Sequence, residues 1–85
     1  MLSLEKLGFD EEEVTCMQYV YVNQTKSLLV VGGSKGALCV IDLATLRIVF
    51  KETSYIASEL AFVGLLNNQI ISCNTDQNLF IYNLT

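Results

Sequence analysis

Cys16, Cys39 and Cys73 are the strongest nucleophiles and the softest metal ligands in this sequence, and no histidine stands anywhere to activate them. Without His, the commonest general base, metal ligand and near-neutral pH switch are all missing, which excludes hydrolase triads built on that residue. The three cysteines are widely spaced, form no C-x-x-C pair and each sit in an apolar stretch, the pattern of inert buried thiols. An odd count also argues against a secreted disulfide scaffold.

Two polar clusters invite a ligand. Gly32-Gly33-Ser34-Lys35-Gly36 could turn backbone N–H groups toward an anion. The spacing G-x-x-x-x-G-K-[ST] is absent, however, and a strand-like run follows where a phosphate loop needs a helix, so a tight turn is expected. Asn74-Thr75-Asp76-Gln77-Asn78 contains a D-x-N fragment, but it has neither the central Gly nor the distant bidentate Glu of a calcium loop, and it too reads as a turn. The acids outside the run Asp10–Glu13, namely Glu5, Asp42, Glu52, Glu59 and Asp76, are scattered and do not converge. No catalytic residue, cofactor or metal site is expected, and the protein reads as a non-enzyme.

Charge points the same way. The 85 residues carry 5 Lys+Arg against 9 Asp+Glu, a net charge of −4. Four of the nine acids are Asp10, Glu11, Glu12 and Glu13, which leaves five acids against five bases elsewhere. With no basic patch, nucleic acid and anionic membranes are poor partners, while the acidic run is a candidate contact for a basic protein surface. Tyr55 and Ile56, apolar residues in an expected loop, are the other candidate partner contacts. The sequons at Asn23 and Asn83 read as accidental, because MLSLEKLGF lacks the basic lead and long apolar run of a signal peptide. The longest uncharged stretch near the C-terminal half, Leu60 to Thr75, is interrupted by Asn67, Asn68 and Gln69. An intracellular, cytoplasmic protein is expected.

The elements that must position these residues are strands. An apolar fraction of 52% can support a core, and the apolar residues come in short β-branched and aromatic runs separated by turn residues. Val14 to Val22 reads as a strand closed by a polar loop from Asn23 to Ser27. Leu28 to Val31 and Leu38 to Ile41 form a hairpin over the glycine-rich turn, and Leu46 to Phe50 is a fourth strand. The two hairpin runs are apolar at every position, so both of their faces should be covered. Leu60 to Val63, Gln69 to Ser72 and Leu79 to Tyr82 then repeat the first three strands.

A slide of 41 residues lays Asp42-Leu43 over Asn83-Leu84, Leu38 over Leu79, Val40 over Ile81 and Val30 over Ile71. The first strands match at a slide of 43, with Met17 and Tyr19 over Leu60 and Phe62. A period near forty with four strands per period is the mark of propeller blades. From Val14 onward the chain resembles the WD-repeat β-propellers. Val14, Met17 and Tyr19 fit that family's opening, Gly36 its turn glycine and Ile41-Asp42-Leu43 its ending. Ala57, Leu60 and Phe62, then Asp76, then Tyr82-Asn83-Leu84 fit the same places in a second repeat. The chain has neither His nor Trp, so the family's full bracing set is absent, and Lys35 stands where the first repeat would carry the turn aspartate.

The resemblance implies an all-β fold with an acidic leader over residues 1–13 that forms part of a neighbouring blade, a first blade over 14–53, and a second over 54–85 lacking its fourth strand. It implies a protein-interaction scaffold whose partners are other protein chains, further blades or copies of itself. Two blades would leave two outward faces rich in Leu, Val and Ile. The alternative is a small-ligand-binding or self-associating all-β barrel or sandwich.

Overall fold

The computed structural model describes residues 13–52 and 58–84, and all seven expected strands are there. In order they are β1 (Val14–Asn23), β2 (Lys26–Gly33), β3 (Leu38–Asp42), β4 (Arg47–Glu52), β5 (Leu60–Leu66), β6 (Gln69–Asn74) and β7 (Leu79–Asn83). They form an all-β structure of two antiparallel sheets, a four-stranded one in the order β1-β2-β3-β4 and a three-stranded one in the order β5-β6-β7. Among the described residues neither sheet closes on itself into a barrel.

The turns explain where each strand ends. Asn23 Oδ1 accepts hydrogen bonds from the Thr25 amide and hydroxyl, both at 2.9 Å, and Asn23 pairs with Lys26. The expected loop from Asn23 to Ser27 therefore shrinks to two residues, because the Asn side chain closes the turn locally. Asn67 and Asn68 sit at φ 51° and 63°, the left-handed pair of a type I′ hairpin, and carry β5 on to Leu66. Leu46 is a correction: it lies in the β3–β4 turn at φ 56° rather than opening β4, and Asp42 Oδ1 caps that turn by accepting the Ala44 amide at 2.9 Å.

The two sheets share one hydrogen-bond plan. Gly33 N–H donates to Ala37 O at 2.9 Å, and Asn74 N–H, 41 residues on, donates to Asn78 O at 3.1 Å. Gly36 to Gly33 and Gln77 to Asn74 repeat the relation at 3.2 and 3.1 Å, as do Leu43 to Ser27 and Leu84 to Asn68 at 3.0 and 2.8 Å. The slide of 41 thus holds over β2–β3 and β6–β7. The slide of 43 expected for the first strands does not hold. Cys16 pairs with Gly32 and Phe62 with Cys73, a slide of 46, and the bulge after Val14 recurs after Leu60. Met17 accordingly matches Val63, not Leu60. The β1–β2 hairpin is five residues longer than β5–β6, and register follows the ladder bonds rather than apolar spacing.

The β2–β3 hairpin is buried on both faces, as its unbroken apolar runs require. One face gathers Leu28, Val30, Leu38 and Val40 against Leu60, Val63 and Ile70 of the second sheet. The other gathers Val31, Ala37, Cys39 and Ile41, flanked by Val14, Leu29 and Ile48. The sheets meet mainly where β5 lies over β1 and β2. Gly32 permits that approach: a Cβ there would stand 2.9 Å from Val63 Cγ1, 3.0 Å from Leu60 Cδ1 and 2.7 Å from Cys16 Sγ. Thr15 fastens the contact by donating its hydroxyl to Leu60 O at 2.6 Å. Farther along, the Phe50 and Tyr82 rings meet at 5.6 Å, tilted 50° to each other, and join β4 to β7.

Candidate interaction surfaces

The polar clusters spend their hydrogen bonds on themselves. The amides of Gly33, Ser34 and Gly36 donate to Ala37, Glu13 and Gly33 carbonyls, which leaves the glycine-rich turn no array of amides aimed at an anion. Gly36 takes φ 94°, the left-handed position that closes such a turn. In the matching turn Asn74 Oδ1 accepts the amides of Asp76 at 3.1 Å and Asn78 at 2.9 Å, so its oxygen is engaged by the backbone. The Asn74 Nδ2 group is buried with no hydrogen-bond partner among the described residues. Among those residues no three His, Cys, Asp or Glu side chains gather as a metal would need.

All three cysteines are free thiols. Burial pushes the Cys39 thiol up to about 11, against which Lys51 pulls only weakly, and burial also raises Cys16. A thiol held protonated at neutral pH is a poor nucleophile. Burial, reinforced by Glu52, likewise raises the Tyr82 phenol.

Of the candidate partner contacts, Asp10, Glu11 and Glu12 lie outside the described residues, as do Tyr55 and Ile56. Glu13 is exposed, and its backbone is tied to the first turn: its N–H donates to Ser34 Oγ at 3.0 Å and its carbonyl accepts the Ser34 amide at 2.9 Å.

What the structure does bring together is apolar surface at both ends of the two-sheet stack. On the three-stranded sheet, the face turned away from the core aligns Phe62, Cys73 and Leu79 in one row and Gly64, Ile71 and Ile81 in the next. Phe62 is 52% exposed, Leu79 62% and Ile81 56%. On the four-stranded sheet, Met17 and Tyr19 of β1 are each 58% exposed on the face shared with Val31. Soluble monomers rarely leave such rows of large apolar side chains in water. The sequence signals outward apolar faces, but it cannot single out these residues, because Leu79 and Ile81 read just as Leu38 and Val40 do.

No family model and no solved structure matches the chain significantly.

Proposed function

We propose that this chain is a non-catalytic protein-interaction scaffold, a pair of adjacent β-propeller blades of WD-repeat type working within a larger protein or complex. The observation that carries the reading is the repeated turn chemistry at a slide of 41 residues, joined to a stack whose two ends both present uncovered apolar strands. Each repeat unit of such a stack buries one face on its neighbour and offers the other onward. The partners are then other protein chains or further blades, and the site of action is intracellular. The raised thiols and self-bonded turns support a binding role over chemistry.

The test is site-specific photo-cross-linking in the native cell. A benzophenone amino acid at Phe62 or Leu79 is expected to give discrete protein adducts, and the same group at Thr45, exposed in the β3–β4 turn, none. Adducts of equal yield at all three positions, or none at Phe62 and Leu79, would overturn the reading.

A further inference from the structure

We propose that a second copy of this chain stacks head to tail on the three-stranded sheet, its β1 lying over β5 and β6 as β5 lies over β1 and β2 within one chain.

Within a chain, β5 turns Val63 and Leu65 onto the face of the four-stranded sheet that carries Cys16, Val20, Val30, Leu38 and Val40. By the two slides, the counterparts of that receiving face are Phe62, Leu66, Ile71, Leu79 and Ile81, which is the uncovered face of the three-stranded sheet. The counterparts of Val63 and Leu65 are Met17 and Tyr19, which stand uncovered on β1. The three-stranded end therefore carries the receiving half of the contact that the chain already makes in its middle. The four-stranded end carries the β1 part of the other half, since Leu29 and Ile41, the counterparts of Ile70 and Tyr82, already belong to the second buried cluster. The strand that a second copy must present is the free one: Val31, Cys39 and Ile41 on the same face are already buried, whereas β1 is not. The residues named on both halves are uncharged.

Two counterparts make this contact looser than the internal one. Cys73 stands where Gly32 lets β5 come close, and Ala61 stands where Thr15 donates its hydroxyl to Leu60. Met17, unbranched and adaptable, suits the less closely fitted approach. The expected association is reversible and concentration-dependent, and because the two surfaces differ it closes into a ring or runs on as a filament. The inference rests on the repeat plan that also supports the scaffold reading, but a second copy is a narrower claim.

Light scattering after size-exclusion chromatography of the full chain tests it. The wild type is expected to give species heavier than its 9.5 kDa that grow with concentration. Tyr19→Asp and Phe62→Asp, the latter on β5 under the proposed contact, should each be monomeric while keeping the wild-type circular dichroism. Mixed one to one, they should form a dimer and stop there, since each retains one intact half and the two altered faces repel. Met17→Asp and Leu66→Asp serve in the same way if either variant fails to fold. Three results would overturn the proposal: a wild type monomeric at every concentration, a mixture that stays monomeric, or a Tyr19→Asp variant that assembles as the wild type does, which would mean a twofold pairing of the three-stranded sheets. A monomeric wild type would remove the second copy and leave cross-linking to other proteins untouched.

Discussion

Val40 and Ile81 hold the same place on the two sheets, each opposite the middle strand at Val30 or Ile71. Val40 is sealed and Ile81 is more than half exposed. Leu38 and Leu79 make the same contrast. The strands and turns leading up to them correspond, although Val40 also has Phe50 of β4 beside it while β7 is the edge of its sheet. The difference is the neighbour: the four-stranded sheet has β5 across this face, and among the described residues the three-stranded sheet has nothing across it. Burial in a stack of sheets thus belongs to the interface and not to the residue.

A buried charge separates the two positions most. Val40→Asp should unfold the chain, since an unpaired carboxylate in that core costs several kcal/mol against a typical domain stability of about 5–15. Ile81→Asp, at the matching exposed position, should shift the stability of the dilute monomer by no more than roughly 0.5 kcal/mol. Urea melts followed by circular dichroism measure both, and equal losses would show that the face of Ile81 is covered after all.

Glycine packing is the next contrast. Gly32→Ala should cost about 1–3 kcal/mol, because the new methyl group meets Val63 and Leu60 across the sheet contact and neither can retreat without opening it. Gly64→Ala should cost less, since the nearest atom to its Cβ, at 2.8 Å, is the Gln18 Oε1, the end of a flexible side chain. Thermal melts of the two variants should rank in that order.

The thiols of the two sheets differ in their response to pH and to labelling. Cys39 titrates near 11 in the folded chain against an ordinary 9.0, so above pH 9 the unfolded chain releases a proton that the folded chain retains. Stability should therefore fall as pH rises from about 9 to 11, with the Cys39 contribution intact below that window. Cys39→Ala should flatten that part of the stability profile. A maleimide at pH 8 should label Cys73, on the open face, well before Cys39.

The smallest effect concerns the two matching turns. Gly36 and Gln77 both adopt positive φ, 94° and 69°, where a Cβ costs about 1–2 kcal/mol. Gln77→Gly should stabilise the chain by about 1 kcal/mol, and Gly36→Ala should destabilise it by a similar amount. Opposite shifts in melting temperature would confirm that one turn geometry serves both sheets.

By itself the sequence determined the seven strands, the antiparallel hairpins and a repeat near forty residues, because these depend on chain-local features: unbroken apolar runs, Asn and Gly at turns, and polar residues between. The two-faced burial of β2 and β3 was legible for the same reason, since strands without alternation have no side to give to water. Register in the first hairpin was not. Apolar spacing allowed Met17 to match Leu60, but the Asn23 turn and the ladder bonds place it against Val31 and so in the position of Val63. Nor could the sequence say that Phe62, Leu79 and Ile81 lie open while Leu38 and Val40 are sealed. Only the tertiary structure decided that, because a hydrophobic side chain is buried by whatever surface is brought across it, and that surface comes from residues distant in the chain.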